Sequence, residues 1–144
     1  MAYRDFAYVY DSLMENYNYK KWEKYIKDIF ELYGVFPQNI VDLACGTGTM
    51  SILLARQGYN VVGIDSSEDM LFVAKEKSRK QGINIPFICQ DMRELELHHP
   101  ADAVLVMCDG FNYIIDREEL LKAMLSIYKA LKSGGILIFD ISSY

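Results

Sequence analysis

The sequence predicts a single α/β domain on a doubly wound, mostly parallel sheet of about five strands, preceded by an aromatic helical segment. Three observations carry that prediction. From Gln38 onward, short apolar runs alternate with stretches of helical periodicity. The runs are apolar throughout rather than alternating, the pattern of strands covered on both faces. A glycine-rich turn, Ala44-Cys45-Gly46-Thr47-Gly48, joins the first run to the helix that follows it.

The N-terminal 35 residues differ from the rest. They hold seven of the eleven tyrosines and the only tryptophan, Trp22. Phe6, Val9, Tyr10, Leu13, Met14 and Tyr17 recur at helical spacing, and so do Trp22, Tyr25, Ile26, Ile29, Phe30 and Tyr33. Gly34 is placed as the second helix's C-cap, with Pro37 beyond it. Asn39–Leu43 is the first strand, Thr49–Gln57 a helix stopped at Gly58, and Asn60–Asp65 the second strand. Ser66–Lys80 reads as a helix whose Ser66, with Asp69 three residues on, suggests a capping box; Gly82 ends it. Ile85–Cys89, Ala101–Met107 and Gly135–Ile141 complete the strands. The link between the first two of these is too short and irregular for a full helix. From about Asp116, Leu120, Leu121, Met124, Leu125, Tyr128 and Leu131 mark one helix face, closed by Gly134-Gly135. Helical crossovers between parallel strands are right-handed, which makes the sheet doubly wound.

Composition narrows the class. A chain of 144 residues with 51% hydrophobic content buries roughly 70% of its unfolded surface without disulfides or structural metals. Fifteen Lys plus Arg against twenty Asp plus Glu give a net charge of −5, which argues against nucleic-acid backbone binding. No apolar run approaches the ~18 residues of a membrane span, and the N-terminus lacks a signal-peptide pattern. Cys45, Cys89 and Cys108 are odd in number, widely spaced and without a CxxC, so they read as reduced thiols of a cytoplasmic protein. Their positions suit small buried hydrophobes. His98-His99-Pro100 reads as a surface turn, and no metal site is expected.

Asp42 through Thr49 carries most of the chemistry. Glycines there let backbone approach a ligand, and the following helix offers free N–H groups. Gly46-x-Gly48-x-x-Ser51 imitates the dinucleotide fingerprint GxGxxG, and Asp65, nineteen residues after Gly46, would suit the ribose diol of NAD. By spacing alone, nicotinamide and other adenosine cofactors remain open.

The motifs around the loop resemble those of the class I S-adenosylmethionine-dependent methyltransferases, in the branch with a CGTG motif. Asp42–Thr49 looks like the family's first motif, with Ala44 where the first glycine is usual. Gly63–Leu71 resembles the second, Gln90–Leu95 the segment after strand three, Val106–Tyr113 the segment after strand four, and Leu131–Leu137 the approach to strand five. The resemblance runs over essentially the whole chain. It implies that Asp65 takes the ribose hydroxyls, with Ser66 beside it. Asp91 would accept from the adenine amine while Met92 offers its backbone N–H, and Met70 would pack on the base. Asp42 orients the loop and reaches the cofactor's ammonium through a water, Ala44, Cys45 and Gly46 lie along its methionine portion, and Cys108 also touches the cofactor. Residues 1–36 then form a lid on a core of residues 37–144. There Tyr10, Tyr19 and Trp22 are candidates to close over the sulfonium by cation–π attraction, whereas Tyr3, Tyr8, Tyr25 and Tyr33 are expected in the core.

Methyl transfer is an in-line displacement at an activated carbon, for which positioning supplies on the order of 7–11 kcal/mol. Asp109, at the C-terminal end of strand four, is the candidate to touch the methyl or its acceptor, with Asn112 and Tyr113 after it. The N-P-P-Y signature of base-amine methylation is absent, so the expected acceptor is a small molecule. Family members continue past strand five, whereas this sequence stops at Tyr144. That predicts a cofactor-binding portion with an unpaired apolar edge available for homo-oligomers. The alternatives are an NAD-binding Rossmann protein and a non-catalytic cofactor-binding or assembly module.

Overall fold

The computed structural model describes residues 5–9, 19–107 and 116–140. Residues 5–9 are helical, and helix α1 spans Tyr19–Leu32. Next come β1 (Asn39–Leu43), α2 (Thr49–Arg56), β2 (Asn60–Asp65), α3 (Glu68–Lys80), β3 (Phe87–Cys89), β4 (Ala101–Val106), α4 (Arg117–Ala130) and β5 (Leu131–Phe139). The strands form one sheet in the order β3-β2-β1-β4-β5, with every neighbouring pair parallel. No described helix is long and apolar enough to cross a membrane.

Strand residues alternate between two apolar layers, because successive side chains point to opposite faces. Ile40, Ala103, Leu105 and Ile138 join α1, α2 and α3 on one face through Ile26, Phe30, Met50, Leu54, Leu71 and Ala74. Val41, Leu43, Val104 and Val106 face α4 through Ala123 and Ile127. Among the described residues, this second layer has one helix. Residues 90–100 are not helical, as their irregular sequence predicts, and Met92, Leu95 and Leu97 fill the space instead. The Leu95 N–H donates to Ser126 Oγ at 2.8 Å, tying the loop to α4.

The structure corrects five local expectations. Ser67, not Ser66, caps α3: its side chain accepts from the Met70 N–H at 3.2 Å. The helix starts at Glu68, so Asp69 falls one position short of a capping box. Helix α4 buries Ala123 and Ile127 and turns Leu121, Leu125 and Tyr128 outward, at 60%, 51% and 77% exposure. The apolar stripe expected inside is thus rotated by about 100°, one residue's turn of helix. Gly134-Gly135 does not close α4, which ends at Ala130. Pairing jumps from Ala101↔Leu131 to Ala103↔Ile136, so residues 132–135 loop out and the glycines return the chain to the strand. Tyr8, Tyr25 and Tyr33 are exposed rather than core; for Tyr25 the reason is that α1 buries only the face carrying Ile26 and Phe30. Cys89 is also exposed rather than core, at the end of an edge strand.

Gly63 marks a close approach between the sheet and the loop above it. A Cβ there would overlap the Phe87 ring, and one on Gly48 would lie 3.0 Å from the same ring. Phe87 is buried and has no room to withdraw. Gly63→Ala is therefore expected to cost about 1–3 kcal/mol, read as a lower urea midpoint with an unchanged slope.

Candidate functional site

After Leu43 the chain turns back sharply into α2. Ala44, Gly46 and Gly48 all adopt left-handed backbone, with φ of 58°, 56° and 80°. Ala44 is the non-glycine exception among the described residues, at a position where Cβ crowding costs roughly 1–2 kcal/mol. Ala44→Gly is accordingly expected to raise stability by about 1 kcal/mol, offset in part by the greater freedom glycine gives the unfolded chain. A higher thermal midpoint checks this.

Asp65 ties the turn together. Its Oδ2 accepts from the Gly46 N–H at 2.8 Å and its Oδ1 from the Ser67 N–H at 2.9 Å. One carboxylate at the end of β2 thus fixes both the glycine loop and the start of α3. The Cys45 N–H donates to the Ile64 carbonyl and the Gln90 N–H to the Asp65 carbonyl, carrying the parallel ladder into the loops. From α3, Lys77 Nζ reaches Thr49 Oγ1 at 2.8 Å and Thr47 Oγ1 at 3.5 Å.

The chain winds leftward from β1 through β2 to β3, then returns to place β4 on the other side of β1. Between β1 and β4 lies the switch point where loops diverge and ligands collect in such sheets. A cavity opens there. Asp42, Ala44, Cys45, Thr47 and Thr49 line it from the first loop, Met50 from α2, Met107 from the end of β4 and Tyr19 from α1.

Asp42 is the unusual group in this wall. It is only 2% exposed, and Ser51 Oγ donates to its Oδ2 at 2.5 Å. Burial pushes its carboxyl from the usual 3.8 up to about 7; the Ser51 hydrogen bonds pull it down and the Asp65 charge pushes it up. Asp42 therefore changes charge near neutrality. Burial and the two carboxylates hold the Cys45 thiol well above its ordinary range, so it stays protonated and is a poor nucleophile.

Beyond Asp65, Asp91 lies in the loop after β3. Arg93 grips its carboxylate, which keeps it below the usual carboxylate range. Met92 packs into the second apolar layer, Met70 is half-buried in the first turn of α3, and Ser66 is exposed.

Of the residues singled out in the sequence, the structure brings Tyr19, Asp42, Ala44 and Cys45 to the cavity, and links Gly46 to Asp65. Trp22 instead packs against the first apolar layer and meets Tyr25 edge-on at 5.7 Å. Tyr10, Cys108, Asp109, Asn112 and Tyr113 lie outside the described residues. Sequence reasoning did not single out Met50, Met107, Thr47, Thr49 or Lys77. The threonines sat within the loop motif, and Met107 closed a predicted strand; nothing local marked Lys77, whose partners are 28 and 30 residues away.

Residues 40–135, from β1 into β5, match the family profile described as a methyltransferase domain. The chain belongs to the class I S-adenosylmethionine-dependent methyltransferase family. A Bacillus subtilis (strain 168) protein named as a methyltransferase, YqeM, is 43% identical over 99% of this chain and 56% of its own length. One from Geobacillus sp. (strain WCH70), likewise named, is 38% identical over 99% of this chain and 58% of its own. The crystal structure of an S-adenosylmethionine-dependent methyltransferase from Clostridium acetobutylicum superposes with a TM-score of 0.87 at 36% identity, over 100% of this chain and 59% of that one. The chain thus spans a little over half the length of these relatives. S-adenosylmethionine, not NAD, is the cofactor of this family.

Proposed function

We propose that this chain binds S-adenosylmethionine in the crevice between β1 and β4 and serves the transfer of its methyl group to a small-molecule acceptor. The observation that carries the proposal is the buried Asp42 in a cavity that it shares with Tyr19, Met50, Met107 and the turn residues Ala44, Cys45, Thr47 and Thr49. A buried carboxyl that titrates near neutrality is suited to a cationic ligand, which favours its charged form. The bound cofactor supplies an already activated methyl on a sulfonium.

This chain's own residues bind and orient. Each Asp65 oxygen accepts one backbone N–H and retains acceptor capacity for a ribose hydroxyl. Ala44, Cys45 and Gly46 present backbone along the methionine portion, and Asp42 offsets its ammonium. Tyr19 provides an aromatic side chain to the cavity from α1, Trp22 packs behind it in the first apolar layer, and Tyr10 and Cys108 are proposed as further cofactor contacts. Asp91 accepts from the adenine amine, with Met92 offering its N–H, while Ser66 and Met70 border the adenosine. Asp109, just beyond β4, meets the acceptor. Residues 1–36 close over residues 37–144 as a lid.

The net charge of −5 favours a small-molecule acceptor over nucleic acid. So does likeness to a glycine/sarcosine N-methyltransferase of Halorhodospira halochloris, 34% identical over 73% of this chain and 40% of its own length. The odd number and wide spacing of Cys45, Cys89 and Cys108 support a reducing, cytoplasmic setting. The test is methyl transfer from labelled S-adenosylmethionine. Label is expected in small amine or hydroxyl acceptors and not in RNA or protein; label confined to macromolecules would overturn the small-molecule reading.

A further inference from the structure

Asp91 is an exposed loop carboxylate, and such a group ordinarily rotates freely. Here it does not. Its Oδ1 accepts from both the backbone N–H and the Nε of Arg93, each at 2.9 Å, and its Oδ2 pairs with Arg93 Nη2. The other arm of the same guanidinium, Nη1, reaches Glu119 Oε2 at 2.6 Å in the first turn of α4. Glu119 is held in turn by Lys122 at 3.4 Å. The chain of contacts runs from the loop after β3, across the planar guanidinium, to α4 on the second apolar face of the sheet.

Two features separate this from an ordinary surface ion pair. A guanidinium fork fixes the carboxylate plane as well as its position. The donor count is also uneven: Oδ1 accepts two donors, whereas among the described residues Oδ2 accepts only one. The acceptor capacity left on Asp91 is therefore concentrated on a single oxygen with a set direction. Exposed ion pairs add little to stability, so the arrangement is better explained by what it does for the ligand of Asp91.

We infer that Arg93 is a positioning residue for cofactor recognition: bridged to Glu119 on α4, it aims Asp91 Oδ2 at the exocyclic amine of the adenine. This rests on the reading of Asp91 as the adenine acceptor. Arg93 itself touches no ligand. It makes the site selective for a purine that donates at its six-position over one that presents an oxygen there, since the aimed oxygen cannot turn away from a second acceptor.

The test compares the affinities of S-adenosylhomocysteine and S-inosylhomocysteine, in which a carbonyl replaces that amine and N1 gains a proton, by calorimetry on the same protein. The wild type is expected to prefer the adenosyl compound at least tenfold. Arg93→Ala should cut that preference at least fivefold while changing S-inosylhomocysteine affinity less than twofold. Arg93→Lys, which lacks the fork, should not restore it, and Glu119→Gln should give a partial loss. An Arg93→Ala variant that weakens both ligands equally, or leaves their ratio intact while Asp91→Ala abolishes it, overturns the positioning role alone. If Asp91→Ala leaves the preference intact, the adenine reading of Asp91 fails, and the role of Arg93 with it.

Discussion

Replacing Asp42 by Asn is expected to make the protein more stable at pH 8 and weaker in its hold on S-adenosylmethionine. The stability sign follows from where the proton sits. The unfolded carboxyl ionises near 3.8, whereas the folded one keeps its proton until about pH 7. Between those values the folded state binds more protons, so stability falls as pH rises. Below about pH 4 the burial cost is absent; above about pH 7 it is fully present, as much as roughly 4 kcal/mol. Asparagine carries no charge and keeps an oxygen for the Ser51 hydroxyl. Unfolding curves of the wild type should therefore lose midpoint from pH 4 to 8, while those of Asp42→Asn lose less, and the two should meet at the acid end. Affinity has the opposite sign. A ligand ammonium favours ionised Asp42, so wild-type affinity should rise through pH 7 and the variant's should not. A variant no more stable than the wild type at pH 8 would show that the buried carboxyl carries no such cost.

The second large effect is expected at Asp65. Asp65→Ala removes the acceptor for two ribose hydroxyls, and hydrogen bonds to a charged group contribute about 1.5–3 kcal/mol each. A loss of roughly 10²–10⁴-fold in S-adenosylhomocysteine affinity follows. The same change strips the partners from the Gly46 and Ser67 N–H groups, so the glycine loop loosens as well. Asp65→Asn separates the two causes: its single oxygen can hold one backbone donor, and it should lose affinity with a smaller drop in thermal midpoint. Retained affinity in both variants would remove Asp65 from the binding site.

Much of this arrangement was legible in the sequence because it rests on local rules. Strand β1 reads from its apolar run, the left-handed turn from its glycines, and the pairing of acids at the ends of β1 and β2 from position alone. What escaped depends on tertiary choice. Helix α4 is apolar on two adjacent faces, and periodicity cannot say which one a sheet will cover; the small Ala123 permits the closer approach. The cap of α3 shifted to Ser67 because Asp65 takes that residue's N–H, a contact made only once the turn has formed. Likewise, the identity of Asp42 suggested an orienting acid, but its displaced titration depends on the enclosure built by α1, α2 and β4. The grip of Arg93 on Asp91 is sequence-local, while its second partner, Glu119, is 26 residues away.

The central claim is that the crevice between β1 and β4 holds S-adenosylmethionine. Its most direct test is a calorimetric titration of the wild-type protein with S-adenosylhomocysteine, run beside NADH under the same conditions. The account predicts saturable one-site binding of S-adenosylhomocysteine and no comparable heat from NADH. Binding of NADH with no response to S-adenosylhomocysteine would contradict it.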